Sequence, residues 1–92
     1  MTAIDLAARP RLSRGVRLRE DAARGSTVLL APERVLNPSP TAMAILIRCD
    51  GERSVDTIIN ELASVYAADR ARIAADVGGL LSDLVAKGLV RL

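Results

Sequence analysis

The chain contains no histidine, phenylalanine or tryptophan, and it has a single cysteine, Cys49, and a single tyrosine, Tyr66. Each absence excludes something. Histidine is the usual general base near neutral pH and the usual zinc ligand. Without it, Ser-His-Asp and Cys-His arrangements cannot be assembled. One cysteine forms no internal disulfide, which suits a reducing compartment. Cys49 has no imidazole to take its proton, so it reads as a small buried hydrophobe. The missing aromatics leave no stacking platform for single-stranded nucleic acid. The charge balance, 13 basic against 11 acidic residues for a net +2, is too even for a nucleic-acid clamp.

Phosphate-cradling loops are absent too: neither GxGxxG nor GxxxxGK occurs. The longest apolar run, Ala42 to Ile47, is far too short to span a bilayer. Asp5 interrupts the first residues, so they do not form the apolar core of a signal peptide. The expectation is a cytoplasmic protein. Asp76 and Asp83 would lie about 10 Å apart on one helix face, and they read as solvated charges rather than an acid–base pair. Nothing in the chain suggests catalysis, a metal or a cofactor.

What is present is a chain of 92 residues, 50% of them hydrophobic. That length fits one domain burying about 60–65% of its unfolded surface. The core must be aliphatic. Residues 1–14, with Arg9, Pro10, Arg11 and Arg14, show little periodicity and are expected to form a flexible tail. Gly15 to Glu20 alternates apolar and charged residues, the pattern of a half-buried strand. Thr27 to Ala31 is a second strand. Pro32-Glu33 turns the chain into a short third one, Arg34-Val35-Leu36, which Asn37-Pro38 ends.

Helical signals follow. Ser39 with Pro40 supplies an N-cap and a first-turn proline. Ala42, Ile45, Leu46 and Cys49 keep helical spacing up to Asp50-Gly51. Ser54 caps the second helix, whose apolar stripe is Val55, Ile58, Ile59, Leu62 and Tyr66. Asp69 is expected to cap the third, with Ile73, Val77, Leu80, Leu81 and Leu84 as its stripe. Lys87-Gly88 ends it, Leu89 folds back on Leu84, and residues 89–92 either add a short strand or pack. Strands first and helices after give an α+β class: a winged helix-turn-helix-like domain over 15–92, with a small three-stranded antiparallel sheet followed by three helices.

Two features bear on function. Gly78 and Gly79 interrupt the third helix at about 1 kcal/mol each relative to alanine. Close packing and the floor of a groove are both compatible with them. The third strand, short and late in the sheet, is a candidate edge whose unpaired N–H and C=O groups an extended peptide can use.

From Val28 to Tyr66 the chain carries Leu36-Asn37, Ile45-Leu46, Cys49-Asp50-Gly51 and Ser54-Val55 in that order. This set resembles the PqqD family, small proteins of pyrroloquinoline quinone biosynthesis, and the resemblance runs from about Gly15 to Leu92. The chain departs from the pattern at Ala31, where a tyrosine is common, and in the proline-rich Pro38-Ser39-Pro40. The resemblance implies binding of the ribosomal precursor peptide PqqA and its presentation to PqqE, a radical S-adenosylmethionine enzyme. Related domains hold leader peptides between the third strand and the third helix. Carried over, Arg34, Val35, Leu36 and Asn37 form one wall, and Arg72, Asp76, Gly79, Leu80 and Asp83 the other. Together with the missing residues, this leaves an expectation of no catalytic residue, no metal, no membrane or nucleic-acid partner, and a monomer or weak homodimer. Members are sometimes fused to pathway enzymes. The alternatives are a winged-helix DNA-binding domain and a pure assembly module. Against the first, the third helix mixes Arg70 and Arg72 with Asp76 and Asp83, and phosphate would repel the acids.

Overall fold

The structure, a computed structural model, describes residues 4–21, 23 and 25–92. Eight elements follow one another: β1 (Arg11–Leu12), β2 (Arg17–Asp21), β3 (Ser26–Ala31), β4 (Arg34–Leu36), α1 (Pro40–Leu46), α2 (Val55–Tyr66), α3 (Arg70–Ala86) and β5 (Val90–Arg91). The class is α+β, as the order of signals implies. The strands form two sheets: a three-stranded one in the order β2-β3-β4 and a two-stranded ribbon of β1 with β5.

Alternation explains the three-stranded sheet. Leu18, Leu29 and Leu36 lie opposite one another across its strands. Leu29 is buried, and Leu18 and Leu36 are partly buried against the same core. The next cross-strand row, Arg17, Leu30 and Val35, faces the other way. Pro32 and Glu33 make the β3–β4 connection, with Glu33 at φ 65°. Proline followed by a left-handed residue is the type II arrangement.

Ser39 and Ser54 cap α1 and α2 as their spacing requires, accepting from the N–H groups of Ala42 and Thr57 at 3.2 and 3.1 Å. α1 ends at Leu46, short of the stop expected at Asp50-Gly51. The N–H groups of Arg48 and Cys49 donate to the carbonyls of Ile45 and Leu46, three residues back, so the helix tightens and turns before Cys49. Asp69 stands at the start of α3 but makes no side-chain cap. Its carbonyl instead accepts from the N–H groups of Arg72 and Ile73, each at 3.1 Å.

α3 closes as Gly88 implies. Gly88, at φ 74°, donates to the Val85 carbonyl, and Leu89 donates to the Leu84 carbonyl at 2.9 Å. This is a Schellman motif with its apolar contact between buried Leu84 and Leu89. The chain then enters β5.

The largest departure from expectation is at the N-terminus. Residues 4–14 are packed on the domain rather than extending from it as a tail. β1 pairs with β5, the N–H groups of Val55 and Asp56 donate to the carbonyls of Ala8 and Leu6, and Gly51 donates to that of Pro10. The Ala8 and Leu6 carbonyls satisfy first-turn N–H groups of α2 that have no partner within the helix. Pro10 is fully buried.

The core joins Leu29 to Ile45, Leu46, Cys49, Val55, Ile58, Ile59, Leu62, Val77, Leu81, Leu84, Leu89 and Val90. Each fully buried aliphatic side chain contributes about 1.5–3 kcal/mol. Tyr66, expected in the α2 stripe, is instead 47% exposed at the helix end. Glu61 joins α2 to the preceding loop, accepting from Arg48 at 3.0 Å and Arg53 at 3.2 Å.

Candidate peptide-binding cleft

Among the described residues β4 pairs only with β3, so one of its edges is free of them. In a two-residue hairpin the closing pair, here Ala31 and Arg34, exchanges both bonds. Bonded and non-bonded pairs alternate, so the N–H and C=O of Val35 point away from β3. These are the groups an added strand would use. The Val35 side chain itself is 59% exposed on the sheet face opposite Leu36.

Beside that edge lies a cleft of about 190 Å³. β3 and β4 give it Leu29 and Leu36, the β4–α1 segment gives Asn37 and Pro38, α1 gives Ala42 and Leu46, α3 gives Leu80, Asp83 and Leu84, and Lys87 follows at the C-cap of α3. The leucines make an aliphatic floor. The volume suits one large apolar side chain, since cavities of about 150 Å³ admit benzene. At the rim, the Lys87 ammonium sits 3.0 Å from an Asp83 carboxylate oxygen, both side chains about half exposed. An exposed pair of this kind contributes little to stability.

Four of the nine residues expected at the site line the cleft: Leu36, Asn37, Leu80 and Asp83. Arg34 lies at its end, where the guanidinium donates to the Lys87 carbonyl at 3.1 Å. It therefore binds the C-terminal end of α3, where a cation is favoured. Arg72, Asp76 and Gly79 are exposed and lie outside the lining. They nevertheless share a stripe with Asp83, all four falling within about 60° of the helix circumference at about 100° per residue.

Neither Gly78 nor Gly79 lines the cleft. A Cβ built at Gly78 or at Gly79 meets no heavy atom within 4 Å, so neither position is required by close packing. Both leave the α3 backbone open to approach. Pro38, Ala42, Leu46 and Lys87 were not legible as cleft residues, because nothing local to α1 indicates that it packs beside β4.

Cys49 is buried, and its thiol lies 3.3 Å from the Ile45 carbonyl. Burial pushes its pKa up to about 11, with the Asp50 carboxylate adding to the effect. It is a neutral packing residue, not a nucleophile. The Asp50 carboxyl is held below the usual range by the N–H groups of Arg53 and Glu52, which donate to it. Among the described residues no cluster of three or more Cys, Asp or Glu is placed to hold a metal ion. No described helix is long and apolar enough to cross a membrane.

The chain has relatives among known proteins. Residues 26–90 match the family model of coenzyme PQQ synthesis protein D, PqqD. The chain belongs to the PqqD family. A protein of Rhodopseudomonas palustris (strain BisB5), named PqqA binding protein, is 52% identical over 84 residues, spanning 91% of this chain and 82% of that one. Among solved structures, the PqqD truncation of Methylobacterium extorquens PqqCD is 43% identical with a TM-score of 0.75, covering 90% of this chain and 88% of that one. It is described as a functional, stand-alone recognition element for ribosomally synthesised and post-translationally modified peptides. The crystal structure of PqqD from Xanthomonas campestris is 42% identical with a TM-score of 0.61, covering 97% and 99% of the two chains.

Proposed function

We propose that this chain binds the precursor peptide PqqA as an extended segment and presents it to the radical enzyme PqqE, doing no chemistry itself. The observation that carries the proposal is the free edge of β4 running beside a leucine-floored cleft against α3. Such an edge supplies main-chain bonds, and a pocket beside it reads alternate side chains of the added strand. One apolar side chain of the peptide enters between Leu36 and Leu80, while Asn37, Asp83 and Lys87 meet its polar neighbours at the rim. Arg72, Asp76 and Gly79 extend the contact along α3. Relatives named PqqA binding protein support the identity of the peptide.

DNA binding through α3 is disfavoured. Arg70 is already engaged by Asp56 and by the Asn60 side chain, and exposed Asp69, Asp76 and Asp83 lie on or at the start of the same helix. Isothermal calorimetry with synthetic PqqA tests the proposal, with a second series in which PqqE is present. Saturable binding of one peptide per chain is the expected result. Absence of heat and of competition in both series refutes it.

A further inference from the structure

From Leu6 to Arg19 the sequence holds five arginines, at 9, 11, 14, 17 and 19, and no carboxylate. Burial follows an alternation there: Arg9 and Arg11 are exposed, while Pro10 between them is buried and Leu12 partly so. β1 and β5 then pair so that Arg11 lies directly opposite Arg91, with Leu12 opposite Val90. Val90 is buried and Arg91 exposed, so two like charges face each other on the outer side of a two-stranded ribbon. Such a pairing is destabilising in itself.

The neighbouring acid does not cancel it. Asp50 bridges Arg11 through the backbone, but its carboxylate is occupied by the N–H groups of Glu52 and Arg53 and by the Arg53 guanidinium. Arg9, Arg11, Arg14 and Arg91 form no ion pair among the described residues. The stem of Arg11 lies over Gly51, whose Cβ would sit 3.4 Å from that of Arg11. None of these four arginines lines the cleft.

We propose that the outer face of the β1–β5 ribbon, carried by Arg9, Arg11 and Arg91 with exposed Arg14 in the turn that follows β1, is a docking surface for a carboxylate-rich patch on the enzyme that modifies the bound peptide. The proposal rests on the peptide-presenting reading above. A presenter needs a second surface that stays free when its cleft is filled, and this ribbon is such a surface. Guanidinium forks match carboxylates in two-point contact, and a partner's acids would relieve the Arg11–Arg91 repulsion. Nucleic acid is the poorer match, because the net charge is only +2 and Tyr66 is the sole aromatic side chain.

The test compares wild type with R11Q/R91Q, and with R91Q alone as a milder second variant. Gln keeps much of the stem and removes the charge, so both variants should melt no lower than wild type. Each protein is titrated with PqqA, with PqqE and with a short DNA duplex, at about 50 mM and about 300 mM salt. PqqA affinity should be unchanged in all three proteins. PqqE affinity should fall at least about tenfold in R11Q/R91Q at low salt, less in R91Q, and the wild-type affinity should weaken with salt. Equal PqqE affinity in folded wild type and R11Q/R91Q overturns the proposal. So does a parallel loss of PqqA affinity, which would assign the ribbon to the peptide site, or a charge-dependent loss confined to DNA. Failure of wild type to bind PqqA would count against the presenting function itself, and the first titration reads that separately.

Discussion

Replacing Val35 by proline separates the edge-strand account from any model in which the peptide contacts side chains alone. The Val35 N–H points away from β3, so the substitution removes no bond from the sheet, and proline is tolerated on an edge strand in that orientation. The variant should fold, with a melting temperature within a few degrees of wild type. A bound strand, in contrast, loses one main-chain bond, worth about 1 kcal/mol net. The peptide carbonyl left without a donor adds about 1–3 kcal/mol if it is shielded from water. Together these predict a loss of PqqA affinity of at least about tenfold, at 1.4 kcal/mol per factor of ten. Val35→Ala is the control: the side chain lies on the sheet face away from the cleft and is 59% exposed, so affinity should change less than about threefold. Calorimetry on both variants, with circular dichroism to establish folding, is the assay. A folded Val35→Pro protein that binds PqqA as wild type does would refute the edge-strand mechanism.

Leu80→Ala removes part of the cleft floor and should weaken PqqA binding by about 1–2 kcal/mol, read by calorimetry. It should destabilise the fold less than Leu81→Ala, which truncates a fully buried side chain and costs about 2–5 kcal/mol in denaturant titration. Ala67 ends α2 in the left-handed region at φ 49°, so Ala67→Gly should raise stability by about 1 kcal/mol in the same titration. Cys49 should react with a thiol reagent only after unfolding at pH 7. Because its folded pKa is raised, the contribution of the neutral thiol is fully present below the ordinary value of 9.0 and is lost as pH rises towards about 11. Cys49→Ala should flatten that alkaline limb of the stability profile.

The parts of the fold legible in the sequence are those written locally. Alternation around Val16 and Leu18, the Pro32-Glu33 turn, serine caps before α1 and α2, and Gly88 after α3 all carry their geometry within a few residues. The N-terminal segment does not. β1 is two residues long and its partner β5 lies at the other end of the chain, so no periodicity could reveal the pairing. The same holds for the use of the Leu6 and Ala8 carbonyls as caps for α2. At the site, Leu36, Asn37, Leu80 and Asp83 were reached through the family resemblance, which sets the third strand against the third helix, and not from local pattern. The α1 wall was missed because the contact of Ala42 and Leu46 with the cleft depends on how α1 packs. Arg34 carries a structural bond to Lys87 that its exposed position in the sequence pattern did not suggest.

Among the described residues the sheet has two free edges, β4 on one side and β2 on the other. Nuclear magnetic resonance of isotope-labelled protein with unlabelled PqqA distinguishes them directly. The account predicts large amide shifts at Val35, Leu36, Asn37, Leu80 and Asp83, with cross-strand contacts between β4 and the peptide backbone. Shifts confined to β2, from Arg17 to Asp21, with β4 unperturbed at saturation, would contradict it.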